Sequence, residues 1–213
     1  MPQTPKPITK PKLLLGEGMD EINFFNALLA HLGINDIQVD EYGGKYRMRA
    51  GLKALASRTG FDQVVSLVVT RDADHADDTD DSAIIIQRAF QSVTGALAHA
   101  NLAIPTAPLV KAMGNPEVSV FILPDNQHAG MLEDVCLAAV SATEADCITT
   151  YFDCIERETS RAQLHRNISK SRIHAWLVTQ NEPDKRLGEA ALASYLNWDH
   201  QAFDLLKQFL HQL

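Results

Sequence analysis

The sequence predicts an α/β fold: a small parallel sheet flanked by helices, with an α-helical C-terminal half. Three observations predict it. Four short β-type segments alternate with helical apolar periodicity in the first 123 residues. One of them, Val64-Val65-Ser66-Leu67-Val68-Val69, is the nearly continuous apolar run expected of a central parallel strand covered on both faces. From Met131 onward only helical patterns recur.

Taken in order, residues 1–11 read as a disordered lead-in, because Pro2, Pro5, Pro7 and Pro11 each remove a backbone donor and the segment offers little to bury. Leu13-Leu14-Leu15 is the first strand and stops at Gly16-Glu17-Gly18. Ile22, Phe24, Phe25, Leu28, Leu29 and Leu32 then recur at helical spacing up to Gly33. A second strand at Ile37-Gln38-Val39 ends in Tyr42-Gly43-Gly44, and Met48, Leu52, Leu55 and Ala56 mark a helix closing at Gly60. The third strand, Val64 to Val69, runs directly into Arg71-Asp72-Ala73-Asp74. Ser82 is placed to cap a helix reaching about Ala100, and Val118 to Leu123 is the fourth strand.

The C-terminal helical patterns cover Met131–Val140, about 143–157, about 169–178, Gly188–Tyr195 and Gln201–Leu213. The organisation is therefore a lead-in at 1–11, an α/β domain at 12–130 and a helical region at 131–213 packed on it.

With 46% hydrophobic residues, 11 Gly and 9 Pro in 213, the chain has the composition of a globular protein that buries its own core. Its net charge of −8 excludes the uniformly basic surface of a dedicated nucleic-acid binder, so a phosphate ligand needs local cations. Asp72, Asp74, Asp77, Asp78, Asp80 and Asp81 fall within one ten-residue run, which makes the acidity local. Three cysteines without C-x-x-C spacing argue against a disulfide framework and a zinc clip. No stretch of about eighteen apolar residues and no secretory leader pattern is present, so no membrane association and a cytoplasmic location are expected.

Parallel sheets place ligand sites at the carboxyl ends of their strands, where Glu17, Asp72 and Asp74 are expected. Asp72-Ala73-Asp74 in extended conformation offers two hard oxygen ligands on one side, suited to Mg²⁺ or Mn²⁺; the alternative is an acidic loop that simply solvates a strand end. An EF-hand loop counted from Asp72 fails, because its sixth and twelfth positions are Asp77 and Ala83 instead of Gly and Glu. No H-E-x-x-H, G-x-S-x-G or G-x-x-x-x-G-K-[ST] pattern occurs. His75 is the one histidine beside the aspartates.

Gly16-Glu17-Gly18-Met19-Asp20 after a first strand, Gly43-Gly44-Lys45 after a second and Asp72-Ala73-Asp74 after a third resemble, in this order, the Toprim domain of topoisomerases, bacterial primases and overcoming-lysogenization-defect (OLD) nucleases. Leu123-Pro124-Asp125-Asn126, Gly130-Met131-Leu132-Glu133-Asp134 and Arg186-Leu187-Gly188-Glu189-Ala190-Ala191 extend the likeness to an uncharacterised Toprim-like bacterial family, from Lys12 to Leu213.

The resemblance implies a catalytic acid/base at Glu17 and metal ligands at Asp72 and Asp74. Glu133 and Asp134 stand where OLD-like nucleases carry an additional acidic pair, which implies a second metal site. Lys45 and Arg71 are candidate phosphate contacts, with Lys170 and Arg172 as contributors from the helical half. The expectation is Mg²⁺- or Mn²⁺-dependent phosphoryl transfer, nuclease-like, on DNA, RNA or a small phosphorylated substrate. The alternatives are a non-catalytic Toprim-like module that binds metal, nucleotide or a protein partner, and a receiver-like signalling domain, which also clusters carboxylates at strand ends.

Overall fold

A computed structural model describes residues 7–74, 81–159 and 168–213. Its strands are β1 (Lys12–Gly16), β2 (Ile37–Glu41), β3 (Ser66–Asp72) and β4 (Glu117–Leu123), all parallel, in the order β2-β1-β3-β4. Helices α1 (Met19–Leu32), α2 (Met48–Ala56) and α3 (Ser82–His99) connect them. The C-terminal region adds α4 (Leu132–Leu137), α5 (Ala142–Thr159), α6 (Ile168–Leu177), α7 (Leu187–Leu192) and α8 (Asp204–His211). The α/β class, the parallel sheet and the helical second half are as the sequence predicts.

Strand periodicity divides the interior into two cores. Leu14 and Val68 face one way with Phe121 and Leu123, and pack with α1 and the C-terminal helices through Phe24, Phe25, Trp176, Phe203 and Phe209. Leu13, Leu15, Leu67, Val69, Val118, Val120 and Ile122 face the other way and are covered by α2 and α3 through Met48, Leu52, Ile86, Val93 and Leu97. On the first face Phe24 meets Trp198 edge-on, with ring centroids 5.2 Å apart.

Several boundaries move. Residues 7–11 are not a loose lead-in: Ile8 is buried at 4% exposure, and its N–H donates to Thr59 O at 3.0 Å. The earlier lead-in residues and His75 lie outside the described residues. The third strand starts two residues late and runs three residues further, to Asp72, because β4 is long enough to pair Arg71 with Ile122 and Asp72 with Leu123. The cap of α3 is Asp81, not Ser82; its Oδ1 accepts the N–H of Ala83 at 3.1 Å. Among the described residues no helix is long and apolar enough to cross a membrane.

Candidate functional site

The carboxyl ends of β1 and β3, the first turn of α1, the loop after β2 and the starts of α4 and α6 enclose a polar cup of about 370 Å³. Glu17, Glu21, Asp72, Asp74 and Glu133 line it together with Lys45 and Lys170. Sequence segments far apart meet here because each strand of a parallel sheet delivers its following loop to the same edge.

Glu17 leaves β1 directly and is held by the loop after β2. Gly43 and Gly44 both have positive φ, 84° and 93°, which glycine adopts without a Cβ clash. That turn lets Gly44 N–H reach Glu17 O at 2.9 Å and Lys45 N–H reach Glu17 Oε1 at 3.2 Å. The Lys45 side chain continues to Asp74, with Nζ 3.3 Å from Oδ2. From β3, Arg71 also faces these acids, its guanidinium 3.9 Å from Glu17 Oε2 and 3.7 Å from Asp74 Oδ2. Arg71 Nε and Nη1 are buried without a hydrogen-bond partner among the described residues.

Asp72, the last residue of β3, is buried at 8% exposure. Its Oδ1 accepts the N–H of Leu132 at 3.1 Å, tying the sheet to the start of α4. Burial, reinforced by the negative charges of Glu21, Glu133 and Glu17, pushes its carboxyl well above the usual range. Asp74 departs from the extended conformation expected of it: its φ is 66°, and its backbone pairs with Gly130. The two aspartates therefore line one cup but enter different surroundings, Asp72 among acids and Asp74 beside Lys45 and Arg71.

Glu133, in the first turn of α4, lies 3.7 Å from Lys170 Nζ across to α6. Burial raises its carboxyl despite that ammonium. Burial acts downward on Lys170 but is outweighed by Glu133, Asp72, Glu21 and Glu17, so the ammonium is held more firmly than usual. Asp134 lies outside the cup lining. Its Oδ2 accepts Met131 N–H at 2.8 Å and its Oδ1 accepts the Ser169 hydroxyl at 2.5 Å, so the geometry gives it a helix-capping and α4–α6 joining role.

The sequence reading missed Glu21, whose carboxylate turns back to accept Gly18 N–H at 3.0 Å. Burial raises its carboxyl to about 7. Its signal was available: an acid at the third position of a helix, where it reaches the orphan amide before the first turn. Gly16 belongs to the same arrangement, since a Cβ there would stand 2.5 Å from Glu21 Cβ.

The motif around Gly188 is structural. A Cβ at Gly188 would approach Asp20 O to 2.6 Å, and its N–H donates to Asp20 Oδ1 at 3.0 Å, locking α7 against α1 beside the cup. Arg172 is not among the lining residues.

By chemistry the donors are hard carboxylate oxygens, which suit Mg²⁺ or Mn²⁺. Among the described residues no three His, Cys, Asp or Glu side chains already surround one point as a metal centre. The acids instead lean on Lys45, Arg71 and Lys170. Residues 11–213 match the model of a family described as protein of unknown function, DUF3226. No curated protein and no solved structure matches the chain.

Proposed function

Since the chain belongs to the DUF3226 family, whose description assigns no activity, we propose from the site itself a Mg²⁺- or Mn²⁺-dependent phosphoryl-transfer protein, acting as a phosphodiester hydrolase. The observation that carries this reading is the convergence of Glu17, Asp72 and Glu133, from three separate elements, on one cup that also holds Lys45 and Lys170. Their order along the chain, with the Gly-Gly turn between Glu17 and Asp72, is what supports the Toprim resemblance.

Asp72 and Glu133 would be the central cation ligands in this reading, with Asp74 beside them in the cup lining. Buried acids held above their usual range by one another are acids short of positive charge, and a hard divalent cation supplies it. Such an ion polarises a phosphate ester and lowers the pKa of bound water. Glu17 stands at the mouth as the acid/base, fixed by Lys45 N–H. Lys45, in the cup lining, binds the substrate's phosphate oxygens, and Arg71, outside the lining, backs it from beside Glu17 and Asp74.

Titration calorimetry of Mn²⁺ into chelator-stripped protein and into Asp72→Ala tests the site. Saturable binding lost in the variant, followed by Mn²⁺-dependent hydrolysis of an activated phosphodiester, is the expected result; hydrolysis that survives in Asp72→Ala overturns it.

One observation favours a second reading. Three protein cations already sit against the acids and no ready-made metal centre exists among the described residues, as suits a non-catalytic module that binds a nucleotide or a metal without turnover. Binding without hydrolysis in the same assays selects it.

A further inference from the structure

The acidity of the chain conceals a basic segment immediately beside the cup. From Tyr42 to Phe61 the sequence carries Lys45, Arg47, Arg49, Lys53 and Arg58, five of its 19 Lys and Arg residues, and no Asp or Glu. Arg58 is paired with Asp40. Arg47, Arg49 and Lys53 are exposed and have no ion-pair partner among the described residues. Arg49 and Lys53 are four apart on α2 and so share a face, turned away from the buried Met48, Leu52 and Leu55.

At the cup end of this segment stands Tyr46, 93% exposed, the most exposed large hydrophobic side chain among the described residues. The residues around it are held: Arg47 N–H closes the turn onto Gly44 O at 2.9 Å, while Gly44 and Lys45 are bonded to Glu17. Lys45 Nζ lies 5.6 Å from the centre of the Tyr46 ring and 3.3 Å from Asp74 Oδ2, so ring and cup share one ammonium. The turn thus presents a solvated aromatic ring next to the cup-lining Lys45, with the exposed cations Arg49 and Lys53 following it on α2.

We propose that this face guides a single strand of nucleic acid into the cup, with a base stacked on Tyr46 and the following phosphates along Arg49 and Lys53. A flat ring beside a short basic track is the arrangement that binds unpaired strands, because every base offers a π-face to stack. A duplex keeps its bases stacked on one another and leaves Tyr46 nothing to hold. The inference rests on the reading of the cup as a phosphodiester site, and it chooses a polynucleotide over a small phosphorylated substrate.

Fluorescence anisotropy with labelled single-stranded DNA or RNA of about ten nucleotides, a length within the usual range of single-strand sites, tests it in Mg²⁺ over a series of salt concentrations. Wild-type protein binds one or both strands, and the preference identifies the source. Tyr46→Ala weakens binding about tenfold, and Tyr46→Phe restores it. The double variant Arg49→Ala/Lys53→Ala, at exposed positions of a helix that alanine favours, flattens the salt dependence by about 1.4 in logarithmic slope, for two lost phosphate contacts. In Tyr46→Trp, the strand quenches the added indole and glycerol phosphate does not.

Absence of strand binding by wild type, equal binding of a duplex, or unchanged affinity in both variants overturns the inference. Hydrolysis of a small activated phosphodiester depends on the cup and not on the track. Retained hydrolysis without strand binding therefore sinks this inference alone, and strand binding without hydrolysis sinks the catalytic reading alone.

Discussion

Lys45 Nζ and Asp74 Oδ2 stand 3.3 Å apart, joining the loop after β2 to the loop after β3 across the mouth of the cup. Both side chains are about two-fifths exposed, so the pair contributes little to stability, but its positive charge sits where a divalent cation would draw on Asp74. Lys45→Met is expected to tighten Mn²⁺ binding about threefold to tenfold by removing a competing charge, while lowering turnover of phosphodiesters. Calorimetry and an initial-rate assay measure the two effects on the same preparation.

Glu21 makes stability depend on pH with a defined sign. Its folded carboxyl titrates at about 7, against 4.5 ordinarily, because burial opposes its charge. The favourable contribution of the protonated group is complete below about 4.5 and is lost as pH rises through 7. Glu21→Gln keeps an oxygen for Gly18 N–H and never ionises. Urea denaturation should find this variant more stable than wild type at pH 8 by about 2–3 kcal/mol and close to it near pH 4. An equal difference at both pH values would show that ionisation is not the cause.

Asp134 joins α4 to α6 through both of its carboxylate oxygens. With one oxygen on Met131 N–H and the other on the Ser169 hydroxyl, its loss unties α4 from α6. Asp134→Ala is expected to cost about 1–3 kcal/mol by chemical denaturation, with the number of Mn²⁺ ions bound unchanged. Loss of a bound ion in this variant would make Asp134 a cation ligand.

Gly188→Ala places a methyl group 2.6 Å from Asp20 O and 2.8 Å from Asn23 Cβ, between two helix backbones that have little room to part. A destabilisation of about 1–3 kcal/mol is expected from overpacking, read as a lower urea midpoint with unchanged slope.

The fold was legible where one periodicity dominates. Val64 to Val69 announced a buried strand, and the stripe from Ile22 to Leu32 announced α1, because burial on both faces or on one leaves a distinct pattern. The end of β3 was not legible, since Arg71 and Asp72 look like loop residues until β4 supplies partners for them. Ile8 was obscured by prolines that break regular structure without preventing a side chain from being buried.

In the site, the loop motifs carrying Glu17, Asp72 and Asp74 could be read from their place after strands, and the structure brings all three to one cup. The different surroundings of the two aspartates could not, because they follow from a backbone reversal at Asp74 and from α4 docking onto Asp72. Glu21 escaped notice because a helix-capping acid and a site acid have the same local sequence.

The hydrogen bond from Gly188 N–H to Asp20 Oδ1 spans 168 positions of sequence. Together with Leu132 on Asp72 and Lys170 on Glu133, it means that the rim of the cup is completed by parts of the chain synthesised long after the strands that form its floor. During synthesis the acidic floor therefore exists as an unfinished surface until α4, α6 and α7 dock beside it. Timing, as much as composition, is built into where those late residues stand.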